Sequence, residues 1–492
     1  MEKSNYFEKI KKWRKKLANH QENKEIIWDL RIVPWISWIS EEFVNVLSLR
    51  QFLWWWFGEK FIFPSTLEKS GNSLYEIIDY LTNILKIKKN KIEIGDFKTL
   101  SEVETREPYM KTEIAYPEID KINNKAIENI LKTIAIVKLL WDKWELAKLI
   151  KNQWLDKLLP NNTKIFNLQK IKWTTEILYD FPESLIEEIK DRLEKEKSFI
   201  IKLWEGASWE NIVVIKVKTD SIEIKNSKEI KKIDKNLNKE KLLDQVIKFA
   251  KKTFTENTSI KISENLQKET KPQNIVVQDR IEWENLKEHS INFFIKKEKE
   301  EKNIEIYLTT STNNLTEWVV HVWNEETILS PNVYLNFEIL LQKIFTELLE
   351  RYQLDEIYLA IWFDFIYDYN TWKINILECN PRYTAPLSPS MLVERLEQIY
   401  DLPYQLTWKL IQKFKISKWI DLLDPNLPKN IKNYILAYEN IWTKLKNWEP
   451  GIIVYTPPFS DKWNNYQSII VIWKDESDIK DLLDKLSKLL LQ

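Results

Sequence analysis

Glycine is nearly missing from this chain. It has 5 among 492 residues, where an average usage of about 7% would give roughly 34. Tight turns and backbone that closes on a ligand ordinarily call on glycine, so the scarcity needs a reason. Cysteine is scarcer still: Cys379 stands alone, which excludes an intrachain disulfide and gives no sign of an oxidising compartment. An excess of either charge is also lacking, with Lys+Arg and Asp+Glu both at 74. A general polyanion binder would carry a basic surplus, so nucleic acid is not expected as a partner. No apolar run approaches the ~18 residues of a membrane span. The opening MEKSNYFEKIKKWRKKLANHQENKE is charged throughout and holds no signal-peptide stretch. A soluble, cytoplasmic protein without a membrane partner is the expectation. The three histidines, His20, His289 and His321, are scattered, and no Ser-His-Asp or Cys-His arrangement suggests itself.

What is abundant is tryptophan, with 24 residues. Several stand where bulk is hard to place. Trp54, Trp55 and Trp56 form a triplet, and Trp204 and Trp209 flank the loop-like WEGASW. Trp372 occupies the turn YNTWK, where a residue tolerating positive φ is expected. Reading Trp as Gly turns these segments into GEGASG and NTGK, and positions 281–285 into IEGEN. Each is ordinary loop chemistry. The expectation is that one stop codon is read as glycine in the source and written here as tryptophan; the alternative is a truly Trp-rich carbohydrate or aromatic binder.

A chain of this length should divide into two to four units. Residues 1–125 read as an N-terminal α/β unit, with a strand core in DLRIVPWIS (29–37) and a helix over 73–87. Residues 126–160 read as helical up to Pro160. An α+β stretch follows to about 285, with strands at SFIIKL (198–203), NIVVIKV (211–217) and NIVVQDRI (274–281) and a helix in KLLDQVIKFAKKTF. Residues 286–415 carry strands at 291–297, 303–311 and 317–323, a long amphipathic helix over 336–352, and the hairpin FDFIYD–INILECN. The tail, 416–492, reads as a small α/β extension. Helices are expected near 390–415 and 429–440, strands at 452–456 and 468–472, and a terminal helix.

The hairpin FDFIYDYNTWKINILECNPR (363–382) carries the strongest chemical signal. Period-2 geometry puts Glu378 and Asn380 on one face. A three- or five-residue loop would set Asp364 opposite Glu378; a two-residue loop would turn it away. Two carboxylates together in an apolar ribbon repel each other and cost desolvation, and a divalent cation resolves this. Mg²⁺ (or Mn²⁺) takes oxygen ligands from one or two carboxylates plus phosphates, and the amide of Asn380 adds a third. The plain alternative is an acidic hairpin paired by lysines. Cys379 alternates away from the acids and reads as an inert buried thiol.

This hairpin resembles the end of the ATP-grasp catalytic domain, where Asp on one strand and Glu-aliphatic-Asn on the next hold Mg²⁺; Cys379 replaces the aliphatic residue. FIIKLWEGASWENIVVI resembles that family's strand–Lys–loop–strand unit. The match makes Lys202 a phosphate contact and lets the loop from Trp204 to Glu210, with Glu205, Gly206, Ala207 and Ser208 at its centre, close over the phosphates through backbone N–H groups. Indole rings at 204 and 209 would obstruct that cradle. DKWELAKLIKN resembles the Asp-Lys stretch before the lid, making Lys143 a second phosphate lysine. VVQDRIEWEN resembles the interdomain strand, placing Gln278, Asp279 and Ile281 at the adenine and Glu284 or Asn285 at the ribose. Four motifs occur in the family's order over about 140–385.

The resemblance implies an α+β, ATP-grasp fold with a pre-ATP-grasp-like N-terminal domain. It implies ATP and Mg²⁺ as cofactors and a carboxylate–amine ligase working through an acyl phosphate. The partners it implies are a small carboxylate and an amine, an amino acid or short peptide, with a homodimer left open. Arg382 would grip the substrate carboxylate or the transferring phosphate, or else pair with a nearby acid. His289 and Ser290 are candidates for the substrate side. A non-catalytic nucleotide-binding regulator, and a phosphotransferase or carboxylase on the same fold, are the competing readings.

Overall fold

β-Branched and aromatic runs dominate the described part of the chain, and they assemble into three sheets. The computed structural model describes residues 25–27, 60–63, 92–94, 128–173, 177–203, 212–226, 229–258, 273–281, 286–317, 320–381, 387–400, 407–416, 451–454, 459–460 and 465–473. Strands β1 (Glu25–Ile27), β2 (Lys60–Phe63) and β3 (Ile92–Ile94) form a parallel sheet in that order. Parallel neighbours need long crossovers, and the segments joining these strands lie outside the described residues. The strand expected at 29–37 and the helix at 73–87 lie outside the described residues.

Helices α1 (Glu128–Trp141) and α2 (Lys143–Asn152) follow, then a single 3-10 turn at Asp156–Leu158 and Pro160. Asp142 caps α2: its carboxylate accepts from the N–H groups of Trp144 and Glu145 at 2.8 and 3.2 Å. That satisfies donors with no partner inside the helix and sets Lys143 as the first helical residue.

The second sheet is wholly antiparallel. It contains β4 (Lys164–Trp173), β5 (Ile177–Asp180), β6 (Phe199–Leu203), β7 (Ile212–Val217), β8 (Ser221–Lys225), β9 (Ile230–Asp234) and β10 (Gln273–Asp279), in the order β5-β4-β10-β6-β7-β8-β9. Helices α3 (Glu183–Glu194) and α4 (Lys239–Thr258) cover one face. There Phe199, Ile201, Leu203, Ile275 and Val277 bury against Leu185, Ile189, Val246 and Phe249. Strand alternation then sends Ile200, Lys202, Val276 and Gln278 to the opposite face; Lys202 stands across from Val276 and Ile200 across from Gln278.

The third sheet has nine strands: β11 (Leu286–Lys297), β12 (Glu305–Glu317), β13 (Val320–Glu326), β14 (Ile357–Asp368), β15 (Lys373–Asn380), β16 (Thr407–Ile416), β17 (Gly451–Val454), β18 (Phe459–Ser460) and β19 (Asn465–Trp473). The order is β15-β14-β11-β12-β13-β16-β19-β17, with β18 on β19. Helix α5 (Pro331–Tyr352) lies against one face. Pro331 opens it, and Gln353 closes it in the left-handed region at φ 52. Phe337, Leu341, Ile344 and Leu348 pack with Phe293, Ile361, Phe363 and Phe365, and Leu146 and Ile150 of α2 join the same core. A buried side chain of this kind contributes about 1.5–3 kcal/mol. Helix α6 (Leu387–Tyr400) is shorter than the helix expected over 390–415, because 407–416 forms β16. The apolar positions of TWKLIQKFKI suit either period. Pairing with both β13 and β19 and burial of Trp408 decide for a strand. The helices expected at 429–440 and at the C-terminal end lie outside the described residues. The architecture is α+β.

Candidate active site

The β14–β15 hairpin turns through residues 369–372. Asp368 organises the loop by accepting from the N–H of Asn370 at 2.8 Å and the hydroxyl of Thr371 at 2.5 Å. The loop is four residues long, not the odd length the parity argument calls for. From Asp368↔Lys373 to Phe365↔Ile376 the register is even, and it would put Leu377 across from Asp364. A bulge intervenes, and the register resumes at Asp364↔Glu378 and Trp362↔Asn380. The consequence is a change of face. Ile374 and Ile376 point into the core under α5, so strict alternation would send Glu378 there too. The extra residue, Leu377, sends Cys379 to the core instead and turns Glu378 and Asn380 outward beside Asp364.

These three residues meet closely. The amide nitrogen of Asn380 donates to Glu378 Oε1 at 3.2 Å and to Asp364 Oδ2 at 3.3 Å. Oδ1 of Asp364 accepts from Ser290 Oγ at 2.5 Å and from Trp362 Nε1 at 2.7 Å. Glu378 Oε2 lies 3.0 Å from Lys143 Nζ; the lysine side chain is 10% exposed and the glutamate side chain 35%. The second lysine comes from the other sheet. Lys202 is 6% exposed, and its ammonium feels Lys143, Glu378, Glu288 and Asp364. The site therefore lies where the two antiparallel sheets face each other, with α2 delivering Lys143 between them.

The charges bear the mark of confinement. Burial, with Lys143 close by, pushes the Lys202 ammonium down to about 8. Burial would raise Glu378 as well, but Lys143 and then Lys202 outweigh it and hold the carboxyl at about 2. Asp364 goes the other way: burial and the neighbouring Glu378 carry it well above the ordinary carboxylate range. Cys379 is buried, and its thiol is pushed up by burial and the two acids, which suits an inert packing residue. Two carboxylates that share one amide nitrogen, one of them reluctant to ionise, form a hard-oxygen set that fits a divalent cation such as Mg²⁺. Turned by half a rotation about its Cβ–Cγ bond, Asn380 would offer oxygen where it now offers nitrogen.

Other residues singled out in the sequence are distributed as follows. Gln278 is buried on the face of its sheet that carries Lys202. The carboxylate of Asp279 is engaged by Arg192 Nη1 at 2.5 Å and Asn162 Nδ2 at 2.6 Å, and its N–H bonds the carbonyl of Asn161. Ile281 is half-buried two residues beyond the end of β10. His289 and Ser290 are neighbours on β11 and point to opposite faces. Ser290 reaches Asp364. His289 is fully buried, stacked on Phe365 and bonded through Nε2 to the Tyr369 hydroxyl at 3.0 Å. Burial pushes its imidazole down to about 4, so it is a neutral core residue and does not line the site. His321 lies in β13. His20, Glu205, Gly206, Ala207, Ser208, Glu284, Asn285 and Arg382 lie outside the described residues.

Glu288, Asn314 and Asn324 are additions that sequence reasoning did not supply. Glu288 shares the parity of Ser290 on β11, a signal present in the sequence. Seeing its bearing on the hairpin requires the β11–β14 pairing, which joins segments about 75 residues apart.

No protein-family model matches the chain, and no curated protein matches it. Among solved structures, an N5-carboxyaminoimidazole ribonucleotide synthetase in complex with ADP aligns at 10% identity, over 95% of this chain and 96% of its own, with a TM-score of 0.47. The N5-carboxyaminoimidazole synthase of Aspergillus clavatus, with ADP and 5-aminoimidazole ribonucleotide, aligns at 9% identity over 95% and 99%, with a TM-score of 0.44. A D-cycloserine synthetase aligns at 9% identity over 75% and 99%, with a TM-score of 0.32. These scores describe a loose likeness in the course of the chain.

Proposed function

We propose that this chain is an ATP-grasp enzyme that uses Mg-ATP to activate a carboxylate and join it to an amine. The observation that carries the reading is one cluster in which Asp364, Glu378 and Asn380 meet each other, Lys143 touches Glu378, and the buried Lys202 arrives from the opposing sheet. In the proposed reaction the γ-phosphoryl group moves to a carboxylate oxygen, leaving ADP and an acyl phosphate. The amine then displaces phosphate to form an amide. Such chemistry depends on positioning and charge neutralisation and needs no protein nucleophile.

Asp364, Glu378 and Asn380 would hold Mg²⁺, which when bound supplies positive charge against the phosphates. Lys143 and Lys202 serve as point cations for phosphate oxygens. Gln278, on the face shared with Lys202, suits the adenine end, and Arg382 the substrate carboxylate. The Asp279 side chain is taken up by Arg192 and Asn162 and its N–H by the Asn161 carbonyl, which argues against a nucleotide contact through either group. The substrates we propose are an amino acid or short peptide and a small amine.

A screen of carboxylate and amine pairs for ADP and phosphate release tests the reading. Glu378→Ala should abolish release while the protein still melts cooperatively. Undiminished turnover in that variant would remove the cation assignment. ATP binding without any substrate-dependent ADP release would instead indicate a nucleotide-binding regulator.

A further inference from the structure

On the face of the nine-stranded sheet that meets Lys202, polar side chains form a row across five strands. Glu378 of β15 stands opposite Asp364 of β14, and Asp364 opposite Ser290 of β11. Ser290 pairs with Thr312 of β12, two residues from Asn314, which stands opposite Asn324 of β13. Hydrogen bonds run along this row in one direction. Asn324 Nδ2 donates to Asn314 Oδ1 at 2.8 Å, and Thr312 Oγ1 donates to the same oxygen at 2.9 Å. Asn314 Nδ2 donates to Ser290 Oγ, and Ser290 Oγ donates to Asp364 Oδ1. Ser290, Thr312 and Asn324 are fully buried.

We propose that Ser290, Asn314 and Asn324 are positioning residues for the divalent cation, and that this row pins Asp364 in the orientation that presents Oδ2 to Glu378 and Asn380. The proposal rests on the reading of Asp364, Glu378 and Asn380 as cation ligands. The physical reason lies in the hydroxyl of Ser290, which has one proton and two neighbours that could take it. Because Asn314 offers its nitrogen, the proton goes to Asp364. Asn314 offers nitrogen because its oxygen is held by Asn324 and Thr312; the reverse setting would place amide nitrogen against amide nitrogen. Without the row the amide is free to turn, the hydroxyl can donate backwards, and Oδ1 loses a donor. Oδ1 then keeps only the Trp362 indole as a donor, and the aim of the carboxylate is held less firmly. Groups that orient a ligand in this way typically change metal affinity by about 10–100-fold when removed.

The test is Mn²⁺ binding to the full chain in the presence of ADP, followed by electron paramagnetic resonance. Ser290→Ala should weaken Mn²⁺ by about tenfold or more, Asn314→Ala by less, and Asn324→Ala by less again. Ser311→Ala is the control. Its hydroxyl lies on the core face, bonded to the Thr327 carbonyl at 2.5 Å and 3.1 Å from the Tyr334 hydroxyl, so it should lower the melting temperature and leave Mn²⁺ affinity alone. Wild-type affinity in both Ser290→Ala and Asn314→Ala overturns the proposal, as does an equal loss in Ser311→Ala. If Ser290→Ala does not fold, Asn314→Ala and Asn324→Ala decide on the same criteria. A wild-type protein that binds no Mn²⁺ sinks the cation site itself; a wild type that binds while the variants match it sinks only the row.

Discussion

Lys202 combines two properties that ordinarily exclude each other, a formal charge and nearly complete burial. Burial and Lys143 hold its ammonium at about 8, below the ordinary lysine range. The sign of the consequence follows from which state holds the proton. Between about pH 8 and that ordinary range the unfolded chain binds a proton the folded chain does not, so this group's contribution to stability rises with pH there. Activity should move the opposite way, because a neutral amine no longer attracts phosphate. The value of kcat/KM for ATP, which reports the free enzyme, should fall above about pH 8. Lys202→Arg stays charged throughout and should flatten that limb. A wild-type profile level to pH 9 would show that this lysine does not serve the nucleotide.

Two tryptophans carry a second residue-scale argument. Trp154 and Trp372 both have φ of 60°, and their side chains are 89% and 61% exposed. A residue with a Cβ costs about 1–2 kcal/mol in that region, and an exposed indole recovers little by burial. Glycine suits both positions. Trp408 adds a buried indole N–H without a hydrogen-bond partner. We propose that one stop codon is read as glycine in the source and is rendered as tryptophan in this sequence. The intact mass of the native protein decides: each replacement removes well over a hundred daltons, and a mass equal to that of the written sequence ends the idea. Trp154→Gly and Trp372→Gly in protein made as written should leave the melting temperature unchanged or raised. If position 362 is among the glycines, Asp364 loses its indole donor, and the bond from Ser290 matters more.

At the scale of elements, a single extra residue in β15 decides where the chemistry goes. Core packing under α5 claims Ile374 and Ile376, and only the bulge at Leu377 turns Glu378 outward. Strand β11 shows the same two-faced logic without a bulge. His289 faces the aromatic core and Ser290, its neighbour, faces the site. The buried imidazole of His289 sits at about 4, below the ordinary histidine value. As pH falls from about 6.5 the unfolded chain takes up a proton that the folded chain refuses, so stability declines across that window by at most about 3 kcal/mol. His289→Gln, which does not titrate, should show a flatter unfolding free energy between pH 6.5 and 4. Equal acid sensitivity in both proteins would place the titrating group elsewhere.

For the whole molecule, the site joins segments that start far apart in the chain: Lys143 on a helix, Lys202 on one sheet, and Asp364 with Glu378 on another. A ligand that bridges them should stabilise the assembly by mass action. Mg²⁺ with ADP at about a hundredfold over its dissociation constant should add about 2.7 kcal/mol, read as a rise in melting temperature. The rise should vanish in Glu378→Ala at the same concentrations. Among the described residues no helix is long and apolar enough to cross a membrane.

Much of this was legible from local pattern. Alternation in FDFIYD and INILECN marked two strands and put Glu378 and Asn380 on one face. The apolar spacing of NFEILLQKIFTELLERY marked α5, and YNTWK marked a turn with positive φ. These are short-range consequences of chain stereochemistry, acting between residues within a few positions of one another. The parity of Asp364 against Glu378, the inward turn of His289, the strand at 407–416 and the row through Asn314 and Asn324 were decided by tertiary structure. Each depends on which strands become neighbours, and neighbours are chosen by the free energy of burying whole faces against α5 and between sheets. That energy is summed over segments hundreds of residues apart, and no local stretch of the chain records it.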